Sequence, residues 1–153
     1  MQGDNVMMGY LRAETPGIID APRYSWYDTG DIAEIDEKGF IHIKGRAKRF
    51  AKVAGEMISL TQVEAVLARL YPETPLAVVA VPDDRKGEQL MLLTSGENAG
   101  KAEIRERFRS EGISELAVPK YIETGETIPL NGTGKIDYLK VKERALEILK
   151  ARG

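Results

Sequence analysis

Apolar and polar positions alternate, cluster and space themselves differently along the chain, and each pattern predicts an element. Ile32 to Ile35 and Phe40 to Ile43 are short apolar-rich runs flanking Asp36-Glu37-Lys38-Gly39, which predicts a β-hairpin. From Ile58 the spacing becomes helical. Leu60, Val63, Val66, Leu67 and Leu70 fall on one face, Ser59-x-x-Gln62 has the form of a capping box, and Pro72 and Pro75 end the helix. Leu76–Val81 and Gln89–Thr94 are apolar runs of strand length separated by the polar stretch Asp83-Asp84-Arg85-Lys86-Gly87. A second helix is predicted over Lys101–Glu111, with Ile104 and Phe108 inward and Gly112 as its stop. A short strand at Lys120–Glu123 follows Pro119, and a last helix starts near Asp137 with Val141, Ala145, Ile148 and Leu149 inward. Residues 1–22 read as strands and turns without a clear core, punctuated by Gly3, Gly9, Pro16, Gly17 and Pro22. The expected architecture is a small α+β domain from residue 46 to 153, behind a strand-rich stub at residues 1–45.

Composition narrows the chemistry. The chain has 153 residues, 42% hydrophobic and 30% charged, with a net charge of −2. That length suits one compact domain, or one domain plus a fragment of another. No apolar run reaches the roughly 18 residues of a membrane span, and no signal-peptide core is read at the N-terminus. Zero cysteines exclude a disulfide scaffold, a Cys-ligated zinc site and a cysteine nucleophile, and fit a reducing, cytosolic-side location. The one histidine, His42, sits in an alternating strand pattern and reads as structural. Acyltransferases of the H-x4-D type need an Asp five places on, where Ala47 stands. Chemistry is therefore expected from Lys, Arg, Asp or backbone groups.

Charge is uneven along the chain. Residues 1–45 hold four Lys/Arg against eight Asp/Glu, while residues 46–153 hold 18 against 16. Arg46-Ala47-Lys48-Arg49-Phe50-Ala51-Lys52 is locally basic in a chain of weak overall charge, which argues for a small anion and against non-specific nucleic-acid binding.

Three segments are shaped for phosphate or ribose chemistry. In Tyr27-Asp28-Thr29-Gly30-Asp31, a carboxylate beside a Thr-Gly turn has two oxygens that suit a ribose diol, although an Asx-type turn explains the same residues. In Gly45-Arg46-x-Lys48-x3-Lys52-x2-Gly55, Arg46 suits bidentate bonding, Lys52 is a mobile point charge, and Gly55 permits close approach. A solvated basic loop is the plainer alternative. Pro129-Leu130-Asn131-Gly132-Thr133-Gly134-Lys135 places a lysine on a Gly-Thr-Gly loop, or merely at an exposed hairpin tip. It is not a Walker A loop, because Pro129 stands where a Gly is required and Ile136 replaces the Ser/Thr.

Taken in order, these segments resemble core motifs of the adenylate-forming enzymes, which include acyl-CoA synthetases, luciferases and peptide-synthetase adenylation domains. Val6-Met7-Met8-Gly9-Tyr10 resembles the end of a fourth motif. Gly45 to Met57, with Glu115-Leu116-Ala117-Val118-Pro119, is more closely similar to bifunctional acyl-acyl carrier protein synthetases/2-acylglycerophosphoethanolamine acyltransferases.

The resemblance implies a large N-terminal AMP-binding domain ending near residue 45 and a mobile C-terminal domain containing a short β-hairpin and a small three-stranded sheet with flanking helices. It implies that Asp31 binds the ribose hydroxyls of ATP and of the acyl-adenylate, and that Arg46 contacts the adenylate near that sugar. Lys48 would be the hinge, and Lys135 would enter the site for adenylation. Lys52 and Gly55 would line the approach of the acceptor's phosphopantetheine thiol. The implied substrates are ATP with Mg2+, a fatty acid and, as acceptor, acyl carrier protein, with coenzyme A as the alternative. The phosphate loop, adenine pocket and acyl tunnel would lie upstream, and the acyltransferase domain that the resemblance implies would lie outside these residues. The piece alone is expected to be inactive, with residues 1–22 disordered or pairing with a second copy. Inner-membrane association would follow from the missing parts. The alternative of another class is a non-catalytic binding module with a degenerate site.

Overall fold

The computed structural model describes residues 3–21 and 26–152. It divides into two compact units, one ending at Lys48 and the other starting at Arg49.

The first unit consists of two hairpins. β1 (Tyr10–Leu11) pairs antiparallel with β2 (Ile19–Asp20), so the described part of the N-terminal stretch forms a local ladder. Met1, Gln2 and Pro22 of that stretch lie outside the described residues. β3 (Asp31–Ile35) pairs antiparallel with β4 (Ile41–Arg46) around the expected turn. Ile32 faces Gly45 and Ala33 faces Ile43, so Lys44 is the extra residue of a bulge. The Asp36 carboxylate holds the turn. Its Oδ1 accepts the N–H groups of Lys38 and Phe40, each at 2.9 Å, and its Oδ2 meets His42 Nε2 at 3.0 Å. His42 is thus a partner of the hairpin turn. No described residue of this unit is buried, and Phe40, Ile41 and Ile43 are all largely exposed.

The second unit has a core on both sides of a sheet. Strands β5 (Phe50–Val53), β6 (Glu56–Ser59), β7 (Leu76–Asp83) and β8 (Gly87–Thr94) lie in the order β6-β5-β8-β7, all antiparallel. β9 (Tyr121–Glu123) runs parallel to β8. The three strands read from the sequence pattern, β7, β8 and β9, are joined by the short β5–β6 hairpin into one five-stranded sheet. The missed pair is β5–β6. Each strand is four residues long, and only Ala51, Val53 and Ile58 are buried, too few positions to stand out from the basic cluster around them. The same finding replaces the basic-loop alternative for Lys52, which sits in a strand.

The run Leu76–Val81 is buried throughout because it is covered from both faces. Leu76, Val78 and Ala80, with Leu90 and Leu92 of β8, pack with α1 (Leu60–Leu70) and α2 (Lys101–Ser110). Ala77, Val79 and Val81, with Met91 and Leu93, pack with α3 (Tyr138–Arg152). The period-2 alternation of strand side chains divides them between two cores.

Local signals hold at the helix ends. Ser59 Oγ accepts from Gln62 N at 3.3 Å, one arm of the expected capping box. Ile104 and Phe108 of α2, and Val141 and Ala145 of α3, are buried as expected, while Ile148 and Leu149 are partly buried.

Two truncations check this division. Phe108→Ala, at a side chain 1% exposed, should cost about 3–5 kcal/mol in urea unfolding of the chain. Phe40→Ala, at one 65% exposed, should change stability by no more than about 0.5 kcal/mol.

Candidate functional site

In the first unit, Asp31 and Arg46 are register partners across the base of the β3–β4 hairpin. Arg46 Nε lies 3.0 Å from Asp31 Oδ1, and its Nη1 donates to Thr29 O at 2.7 Å. The turn before Asp31 has Asx geometry. Gly30 N donates to Asp28 Oδ1 at 2.8 Å, and Asp31 N donates to Thr29 Oγ1 at 3.2 Å. The turn and the ligand readings of this segment therefore coexist, because the carboxylate of the turn is that of Asp28. Asp31 keeps Oδ2 without a partner among the described residues, and the exposed Arg46 keeps donor capacity. A carboxylate oxygen beside guanidinium N–H groups is a donor–acceptor pair suited to sugar hydroxyls.

Lys48 is the middle residue of a 3-10 turn (Ala47–Arg49), is exposed, and has no ion pair among the described residues. In the second unit, Lys52 points outward from β5 between the buried Ala51 and Val53. Its backbone N–H donates to Glu88 Oε2 at 2.6 Å, while its ammonium has no described partner. Ala54 and Gly55 form the two-residue turn to β6, both at positive φ (51° and 89°). A Cβ at Gly55 would meet nothing within 4 Å, so backbone conformation accounts for the glycine here.

Lys135 sits on a loop closed by a bridge between Leu130 and Ile136. Asn131 organises it: Oδ1 accepts from Thr133 N at 3.0 Å, Thr133 Oγ1 at 2.7 Å and Lys135 N at 3.1 Å. Lys135 is exposed, and its ammonium has no described partner. A free cation on a fixed backbone is poised for an incoming anion.

Arg49 behaves oppositely. Its side chain is only 14% exposed. Nη2 lies 2.6 Å from Glu64 Oε2, Nη1 donates to Val78 O at 3.0 Å, and the guanidinium stacks 3.7 Å from the Tyr138 ring. The Nη2 contact is an ion pair without good hydrogen-bond direction. Tyr138 OH donates to Glu64 Oε2 at 2.9 Å, and burial together with the Glu64 carboxylate pushes its hydroxyl up to about 12. One residue of the basic cluster is therefore structural, which its spacing did not reveal.

A further cationic groove of about 380 Å³ was not singled out in the sequence. Arg85, Lys86, Lys101, Arg105 and Lys120 line it, against the carboxylates Asp83 and Glu115. The signal available was the i,i+4 pair Lys101/Arg105 on α2. Lys120 Nζ lies 2.7 Å from Asp83 Oδ2, and Asp83 Oδ1 accepts the N–H groups of Arg85 and Lys86. The Lys120 ammonium, followed by the N–H of Lys86, holds the Asp83 carboxyl down at about 2. None of Asp31, Arg46, Lys48, Lys52, Gly55 or Lys135 lines this groove. Among the described residues, no group of three or more His, Cys, Asp or Glu could hold a metal, and no helix is long and apolar enough to cross a membrane.

Comparison with known proteins gives the class. Residues 62–135 match the family model of the AMP-binding enzyme C-terminal domain. The mitochondrial medium-chain acyl-CoA ligase ACSF2 of Rattus norvegicus is 36% identical over 154 residues, covering 98% of this chain and 25% of the relative. Steroid-22-oyl-CoA synthetase of Rhodococcus jostii is 32% identical, covering 84% of this chain and 24% of the relative. A fatty acyl CoA synthetase structure from Mycobacterium tuberculosis aligns with TM-score 0.59 at 30% identity, over 82% of this chain and 25% of that one. ATP-bound MatB from Rhodopseudomonas palustris shares the fold, with TM-score 0.66 at 23% identity, over 83% of this chain and 26% of that one. The chain spans about a quarter of the length of the curated relatives it matches. It carries the C-terminal domain of the AMP-binding, adenylate-forming ligase superfamily.

The Asp83–Lys120 pair gives a pH test. A depressed carboxyl contributes stability that is present above about pH 4 and lost as pH falls through about 2. Lys120→Met should move the Asp83 transition up towards its ordinary value of about 3.9, read by carboxyl-carbon NMR titration.

Proposed function

We propose that the chain is the C-terminal part of an ATP-dependent acid:thiol ligase that activates a fatty acid and passes it to coenzyme A. In the first half-reaction, a carboxylate oxygen attacks the α-phosphorus of ATP and pyrophosphate leaves. In the second, the thiol sulfur attacks the acyl carbonyl, loses its proton and expels AMP. The observation that carries this reading is Lys135, an unpaired ammonium on a loop held by Asn131. It would offset charge developing on the phosphates during adenylation. Asp31 Oδ2 and Arg46 would take the ribose hydroxyls. Lys48 would be the pivot that lets the second unit swing between half-reactions, and Lys52 beside the Ala54–Gly55 turn would line the thiol's approach. Mg2+ would enter with ATP, offsetting charge on its phosphates.

Residues 1–45 would be the end of a large N-terminal AMP-binding domain. The absence of buried residues among those described there, with Phe40, Ile41 and Ile43 exposed, supports this reading. Coenzyme A is favoured as acceptor because similar ligases are named for it, and because five cations against two carboxylates leave one groove with a positive charge that suits its phosphates. Acyl carrier protein is the second reading. It rests on the Gly45–Met57 motif and on Lys48 and Lys52, exposed cations that an acidic carrier would meet.

The full-length protein, given ATP, a long-chain fatty acid and either coenzyme A or holo-acyl carrier protein, separates these readings by mass spectrometry of the thioester. Product on coenzyme A alone supports the first, product on the carrier alone supports the second, and no thioester refutes the ligase. In the same protein Lys135→Ala should lower adenylation by on the order of 10²–10³. Lys52→Ala should slow thioester formation from preformed adenylate while sparing adenylation. Equal loss in both steps would refute the separation of roles.

A further inference from the structure

Arg46 and Ala47 are tied to the first unit. Arg46 bonds Thr29 O and Asp31, and Ala47 N donates to Gly30 O at 2.7 Å. Two residues later the chain is tied again, by Arg49, to the second unit. The Arg49 guanidinium engages three elements that are far apart in sequence: Glu64 on α1, Val78 on β7 and Tyr138 at the start of α3. The Glu64 carboxylate completes the ring, accepting Val78 N at 2.7 Å and Tyr138 OH at 2.9 Å.

β7 ends the order of the sheet, so Val78 lacks a neighbouring strand on one side. Arg49 and Glu64 satisfy its carbonyl and N–H in place of that strand. Removing either partner would leave a nearly buried charge uncompensated, which makes the tie hard to break. Between the two ties stands Lys48 alone, exposed and without a described partner.

We propose that Arg49 is a positioning residue that confines the pivot between the two units to Lys48, by locking the chain after it onto Glu64, Val78 and Tyr138. This rests on the domain rotation of the proposed function. If the tie is cut, the flexible segment lengthens from Lys48 into β5, and the second unit reaches each of its two working orientations less sharply. The Arg49 side chain needs no contact with substrate to have this effect.

The test uses the full-length protein, cleared of any native cysteines, with spin labels on cysteines introduced at the exposed positions Glu37 and Glu143. Pulsed dipolar spectroscopy then measures the distance distribution with ATP, and again with AMP plus coenzyme A. The wild-type background should give two narrow, different distributions. Arg49→Met should broaden both about twofold. It should also lower the rate of both half-reactions about tenfold, with the KM for ATP unchanged. Arg49→Lys should fall between the two, since a lysine keeps the charge but loses the fork and the stacking.

Tyr138→Phe keeps the ring and removes only the hydroxyl, so it carries the test if Arg49→Met does not fold. It should broaden both distributions. Arg144→Met, which removes the ion pairs of Arg144 on α3 with Glu126 and Glu147, should broaden neither. Unchanged widths in Arg49→Met and Tyr138→Phe, with wild-type circular dichroism, would overturn the anchor while leaving the rotation intact. Wild-type distributions that do not respond to ligand would instead overturn the rotation, and the anchor with it.

Discussion

The constraint on which the second unit depends is the burial of β7 and β8 from both sides. Every residue from Leu76 to Val81, and from Leu90 to Leu93, is buried. A hairpin of this kind cannot leave either face in water. α1 and α2 must cover the Val78/Leu92 side, and α3 must cover the Val79/Met91 side. Because α1 and α3 lie on opposite faces, Glu64 and Tyr138 meet only at the free edge of β7, where Arg49 joins them.

This arrangement leaves the chemically interesting groups on the periphery. Lys52 and the Ala54–Gly55 turn project from the short β5–β6 hairpin, and Lys135 rides on the loop before α3. A rigid core carrying free cations at its rim suits a domain whose proposed work is to present different groups in turn. The first unit lacks any such core among its described residues, and its Asp31–Arg46 pair is held instead by hairpin register and turn hydrogen bonds.

Most of the fold was legible wherever a local period decided it. Leu60, Val63, Val66 and Leu67 advertise α1 through helical spacing, and the two apolar runs advertise β7 and β8 through length and flanking turns. β5 and β6 were not legible. Four-residue strands offer only one or two inward positions each, and Lys52 and Glu56 dominate the visible pattern. At the candidate site, the turn around Asp31 and the loop around Lys135 could be read because Asp, Asn, Thr and Gly act on their own neighbouring backbone. Asp31–Arg46 pairing was less visible, since it needs the hairpin register and its bulge.

By itself, then, the sequence determined the helices, the central hairpin, the turns and the identity of the residues available for chemistry, all of which follow from interactions among near neighbours. Which basic residues stay free was a tertiary decision. Arg46, Lys48, Arg49 and Lys52 look alike in sequence, yet Arg49 is nearly buried while Lys48 and Lys52 face solvent unpaired. The groove of Arg85, Lys86, Lys101, Arg105 and Lys120 likewise exists only once the β7–β8 turn, α2 and the segment leading into β9 are packed together. The reason is that pairing and desolvation depend on partners far away in the chain, and no local period encodes where those partners will be.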